Sequence, residues 1–172
     1  MGIKQAVSAD LSRIYQTVSI SNVLKALIVS PQFTSALLYR ISHLLLHRSR
    51  FLSNIVARIN LTLHGIDIDP RAQIDDGILF QHPGGVVIGG GSTLGGYCTL
   101  MGGVTIGRKN LGNEGLNGYP RIGACVTFGA SSTVLGPIDV ADQTSIGANS
   151  LLISNTTKGS VWAGNPARSL SS

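Results

Sequence analysis

"RIGACVTFGASSTVLGPIDVADQTSIGANSLL", residues 121–152, places an aliphatic or aromatic residue at every sixth position: Ile122, Phe128, Val134, Val140, Ile146 and Leu152. Glycine follows at Gly123, Gly129 and Gly147, and Val126, Ser132 and Ser150 sit four places on from a grid residue. A helix repeats near 3.6 residues and a strand near two, so neither explains a period of six. Six residues make one short strand and one tight turn, and three such steps close a triangular coil. The aliphatic side chain points inward, and glycine serves turns that need unusual backbone angles.

The grid extends upstream through Ile68, Ile74 and Phe80, then Ile88, Leu94, Leu100 and Ile106, thirteen positions in all. Ser92, Cys98 and Val104 continue the small or β-branched series. The grid slips twice. Phe80 to Ile88 is eight residues, so two extra residues bulge out beside His82. Ile106 to Ile122 is sixteen, so ten extra residues leave the coil in "RKNLGNEGLNGYPR", a loop at 108–121 rich in Gly and Asn. Insertions in a solenoid gather on one face, often the binding face, so both breaks are functional candidates.

Before Gly65 the period is helical. In "SPQFTSALLYRISHLLLHRS" Ser30 is a candidate N-cap and Pro31 the first helical residue, followed by Phe33, Leu37, Leu38, Ile41, Leu44 and Leu45. "RFLSNIVARINLTLHG" repeats the pattern and stops at Gly65, and "SADLSRIYQTVS" reads as a shorter helix. The expected division is a helical region at 1–65 and a coil domain at 66–172.

The chain is 43% hydrophobic and 12% charged, which implies that part of its surface is covered by partner subunits. No apolar run reaches the roughly 18–20 residues of a membrane span. The N-terminus has no secretory signal, so a cytoplasmic protein is expected. Cys98 and Cys125 are read as buried reduced thiols. Residues 1–60 carry seven Lys/Arg against Asp10 alone, while residues 61–172 carry six against seven acids. That basic excess reads as a solvated helical face, with peripheral contact to an anionic membrane as the alternative. No nucleic-acid partner is expected.

With these residues in place, the sequence resembles the serine acetyltransferases and their sugar-modifying relatives among the hexapeptide-repeat acyltransferases. The resemblance rests on "YRISHLL", "GIDIDPRAQI", "HPGGVVIG", "GVTIG", "PRIGACVTFGASSTVLG" and "WAGNPAR". It implies a left-handed parallel β-helix behind the helices, a homotrimer or dimer of trimers, and acetyl-CoA held between subunits for transfer to a hydroxyl. His82 matches the general base and Asp67 the aspartate that orients it, with Asp69 as a rival. The serine enzymes usually carry an aspartate just before the base and an Arg-His pair before the proline after the loop. This chain has Gln81, and Gly118 with Tyr119 before Pro120. The expectation is therefore the polysaccharide O-acetyltransferase branch with a saccharide acceptor; serine acetylation in cysteine biosynthesis is the alternative.

A neutral imidazole can take a hydroxyl proton as the oxygen attacks a thioester, and a carboxylate on the other ring nitrogen fixes its tautomer. The other reading of His82 is a side chain filling an irregular turn. The resemblance places the pantetheine arm of acetyl-CoA along Gly107, Ala130 and Ala148, with Lys158 or Arg168 meeting its phosphates. Gln81 and Tyr119 are candidate acceptor contacts. Arg40, His43 and His47 share one helical side and read as structural or subunit contacts. No metal site is expected, since the related carbonic anhydrase coil needs three histidines and this coil has one. A non-catalytic scaffold is the remaining class.

Overall fold

The computed structural model describes residues 2–109 and 118–170. Most of the expected loop, residues 110–117, lies outside the described residues.

Four helices come first: α1 (Ile3–Ser12), α2 (Ile20–Val29), α3 (Pro31–Leu46) and α4 (Arg50–His64). Ser30 caps α3 by accepting from the Phe33 amide, and Pro31 opens it. Gly65 ends α4 at φ 66°, in the left-handed region where a side chain would clash. Residues 8–19 do not form the single short helix expected of them. α1 stops at Ser12, and Ser19 caps a separate α2 by accepting from the Asn22 amide. The apolar spacing concealed that boundary because α2 leaves Ile20, Leu24 and Ile28 exposed and buries Ala26 alone.

The rest is a left-handed parallel β-helix of three faces. The first stacks β1 (Asp67–Ile68), β4 (Val87–Ile88), β7 (Thr105–Gly107), β10 (Thr133–Leu135) and β13 (Leu151–Leu152). The second stacks β2 (Gln73–Ile74), β5 (Thr93–Leu94), β8 (Arg121–Ile122) and β11 (Asp139–Val140). The third stacks β3 (Leu79–Phe80), β6 (Thr99–Leu100), β9 (Thr127–Phe128), β12 (Ser145–Ile146), β14 (Val161–Gly164) and β15 (Ala167–Ser169).

All thirteen grid residues point into the core and are at most 7% exposed. They stack like on like: Ile68 under Ile88 under Ile106, and Phe80 under Leu100 under Phe128. The outward partner is polar or half-buried in β1 to β13 except at Val87 of β4, which is apolar and exposed, and the alternation is that of a two-sided strand. Cys98 is buried as expected, which pushes its thiol up to about 11. Cys125 is exposed instead, because it occupies a turn at φ 58°.

Both ends of the prism are closed. At the base, Tyr39 Oη donates to the Ala72 carbonyl (2.8 Å) and accepts from the Ile74 amide (3.2 Å). Arg40 donates to the carbonyls of Ile74 and Asp75 and pairs with Asp10 at 3.0 Å. Asp10 in turn accepts from the Ile78 amide. α1 and α3 thus satisfy backbone groups that the first coil would otherwise leave unmade. Burial pushes the Asp10 carboxyl up, opposed by the Arg40 hydrogen bond and charge. His43 Nδ1 lies 2.7 Å from the Pro70 carbonyl, so Arg40 and His43 both fasten the helices to the coil. At the top, β14 and β15 form an antiparallel hairpin and Trp162 packs on the core.

Candidate active site

The corner between the third and first faces carries the bulge. The Gly85 amide donates to the Gly65 carbonyl at 2.8 Å, and the Gly103 amide donates to the Gly84 carbonyl at 2.9 Å. Glycine is needed here: Gly85 and Gly103 have φ of 70° and 75°, and a Cβ on Gly103 would sit 2.8 Å from Ser131 Oγ. His82 is exposed in this bulge, and its imidazole makes no hydrogen bond to any described residue. The imidazole is therefore open to a ligand at this corner.

Asp67 is exposed at the start of β1, two residues after the Gly65 on which the bulge stacks. Its rival is already engaged. Asp69 accepts from the Arg71 amide (2.9 Å) and pairs with the Arg71 guanidinium at 2.6 Å. That hydrogen bond holds the Asp69 carboxyl below its ordinary range, against partial burial. Among the described residues Asp67 has no such partner, and no hydrogen bond joins it to His82.

Above the bulge the same corner rises as a column of small residues. The Ser131 amide donates to Gly102, and the Asn149 amide to Ala130, each through one backbone bond. Ala130 and Ala148 are exposed on this edge, and a Cβ on Gly129 would strike the backbone of Ala148. Arg168 stands at the top of the column, on β15 opposite Ala163. Lys158 does not join it: its turn stacks over Asp142, between the second and third faces.

Gly107 and Tyr119 also lie elsewhere, on the corner between the first and second faces. Gly107 is paired with Leu135. The Tyr119 ring packs on Gly89, where any Cβ would collide with it, and the Arg108 guanidinium lies 5.9 Å from its centroid. Within one chain, the first face therefore separates Tyr119 and Gly107 from Gln81, His82, Ala130 and Ala148. Hexapeptide spacing alone does not say which corner a residue occupies, and the structure supplies that division.

Sequence reasoning also passed over Arg50 and Arg58, which line a groove with Asp67, Asp69 and Arg71. Their spacing on one helical face was the available signal. Among the described residues no three metal-ligating side chains are gathered, and no helix is long and apolar enough to cross a membrane.

No family model matches the chain. It is 33% identical over 167 residues to a serine acetyltransferase of Helicobacter pylori, covering 95% of this chain and 96% of that protein. It is 37% identical over 131 residues to serine acetyltransferase 2 of Arabidopsis thaliana, covering 76% of this chain and 40% of that longer protein. Among solved structures, the soybean serine acetyltransferase apoenzyme superposes with a TM-score of 0.85 at 31% identity, over 98% of this chain and 69% of that one. A serine acetyltransferase complex with CoA superposes with a TM-score of 0.84 at 28% identity, over 98% and 69%. These relatives correct the placement in the polysaccharide branch: each bears the name of a serine enzyme. The placement leaned on Gln81, Gly118 and Tyr119, three positions set against a likeness that runs the length of the chain.

Proposed function

The chain belongs to the serine acetyltransferase family, and from that premise we propose that it transfers acetyl from acetyl-CoA to the hydroxyl of serine. The observation that carries the reading is His82: an imidazole open to a ligand, at the foot of a column of small residues. Neutral His82 takes the proton of the acceptor hydroxyl as that oxygen attacks the thioester carbonyl. The tetrahedral intermediate collapses with cleavage of the C–S bond, and the imidazolium returns the proton to the departing CoA sulfur. The products are the O-acetyl ester and CoA. Asp67, which Arg71 does not engage, is assigned the role of orienting the imidazole and stabilising its charged form.

The column accommodates the pantetheine arm, since alanine and glycine let an extended chain lie against backbone. Ala130 and Ala148 serve on this edge, with Arg168 above them for the phosphates. Gly107 and Tyr119 serve the same site from the opposite edge of a neighbouring copy. That division is the reason to propose a homotrimer, or a dimer of trimers: closed symmetry brings unlike edges of one face together. The working compartment is the cytoplasm.

A saccharide acceptor is the second reading. Gln81, Gly118 and Tyr119 offer an amide and a phenol where the serine enzymes usually offer charge, and these suit hydroxyls and a ring face. Thiol release from acetyl-CoA, measured with serine and with neutral saccharides in parallel, separates the two. Efficient turnover at millimolar serine is expected. Turnover confined to saccharides would replace serine with the second reading.

A further inference from the structure

His64 is the last residue of α4, and its ring is half-buried where α2, α3 and α4 meet. The surroundings are apolar: Leu27, Ile28, Leu37, Leu38 and Leu63 line an open cleft of about 520 Å³ with it. Burial pushes the imidazole below its ordinary 6.5. A leucine would suit the cleft, so the polar ring carries a desolvation cost that its packing does not return. Such conflicts between a residue and its surroundings are expected where function requires them. The ring has one hydrogen-bond partner among the described residues: Nε2 lies 3.1 Å from Thr34 Oγ1. The Thr34 hydroxyl donates its own proton to the Ser30 carbonyl at 3.1 Å. It therefore accepts from His64, and the neutral ring carries its proton on Nε2.

This bond ties the first turn of α3 to the residue beside Gly65, on which the bulge stacks. The Gly65 carbonyl accepts from the Gly85 amide at 2.8 Å, and a Cβ on Gly65 would lie 3.4 Å from Gly84 Cα. The same turn of α3 reaches the other end of the bulge. Ser30 Oγ donates to Gln32 Oε1 (3.0 Å), and Gln32 Nε2 donates to the Gln81 carbonyl at 3.5 Å. From above, Gly102 closes on His82: a Cβ there would meet the His82 carbonyl at 3.1 Å. The His82 backbone is thus held between α3, Gly65 and Gly102 while its imidazole stays exposed. We propose that His64 is a positioning residue for acetyl transfer: by donating to Thr34 it holds Gly65, and through Gly65 the bulge that aims His82. The inference rests on reading His82 as the base. A base that drifts from the acceptor hydroxyl loses the alignment on which proton transfer depends.

The test compares His64→Leu and Thr34→Val, which remove the hydrogen bond, with His64→Gln and Thr34→Ser, which keep a donor and a hydroxyl. His47→Leu, at the exposed C-cap of α3, is the control. Thiol release from acetyl-CoA is measured with serine and with neutral saccharides in parallel. Melting temperature and hydrogen exchange of the Gly85 amide are read on the same proteins. Loss of one ordinary hydrogen bond lowers kcat about twofold to tenfold in His64→Leu and Thr34→Val, and speeds Gly85 exchange by a similar factor. The double variant loses no more than either single one. KM for acetyl-CoA and the melting temperature stay put, because leucine and valine suit the cleft. His64→Gln and Thr34→Ser recover kcat. Faster exchange with no fall in kcat overturns the proposal, and so does unaltered exchange. Additive losses, or a fall in kcat that tracks the melting temperature, also overturn it by assigning both residues to packing. If His82→Ala keeps its turnover, the base reading fails by that result alone, and Gly85 exchange still decides whether His64 holds the bulge.

Discussion

The two edges of the first face are built from the same coil and put to different ends. On the edge with Tyr119, side chains are consumed by structure: the ring fills the space above Gly89, and Asp69 is closed on Arg71. On the edge with His82, backbone amides carry the stacking, and the imidazole has no internal partner among the described residues. A polar side chain that the fold does not use costs conformational freedom only when something binds it. The difference teaches where to look for chemistry in a repetitive fold: at the corner whose side chains are idle.

Replacing His82 breaks this comparison most severely. His82→Ala is expected to cut acetyl transfer by about 10²–10⁴-fold while leaving the melting temperature unchanged. Steady-state thiol release and a thermal scan on the same sample read both. A folded variant with near-normal turnover would return His82 to the role of turn residue. Asp67→Asn is expected to lower kcat less, because it disturbs orientation and leaves the proton acceptor in place.

A second change attacks the column rather than the base. Gly103→Val puts a branched side chain at φ 75° and against Ser131. Backbone strain and overpacking together cost about 2–4 kcal/mol. Denaturant unfolding should show the loss, and a stability within 1 kcal/mol of the parent (about the cost of a tolerated core change) would mean the column is not tightly stacked.

The smallest effect belongs to the quiet edge. Asp69 has its carboxyl held below the ordinary 3.8 by Arg71. A depressed folded-state value contributes stability that is present above the unfolded value and lost as pH falls through the folded one. The Arg71 side chain is 60% exposed, so solvent screening limits the pair to about 0.2–1 kcal/mol. Arg71→Gln should therefore cost about that much at pH 7, and the two proteins should converge in acid below the usual carboxylate range. A difference that persisted at low pH would assign the loss to packing instead.

The coil was legible in the sequence because its repeat is local. Each grid residue makes the same inward step, so spacing alone identified the burial of Ile122, Phe128 and Val134. The helix ends at Ser30 and Gly65 were legible for a similar reason, since caps act within one turn. α2 was not, because its apolar residues are exposed and no buried stripe marks it. The acceptor also resisted: three uncharged positions suggested a sugar, and spacing did not show that Gln81 and Tyr119 occupy different corners of one chain.

By itself, the sequence determined the six-residue coil, the helical segment before it, the bulge at His82 and the break after Ile106. These follow from periodicity, which a chain carries in one dimension. Tertiary structure alone decided which corner each site residue occupies and that Asp69 is spent on Arg71. It also decided that Asp10 and Arg40 seal the base of the prism, and that Arg50 and Arg58 face Asp67. Such relations join residues far apart in the chain, and their energies depend on distances that only the closed coil and its docked helices set.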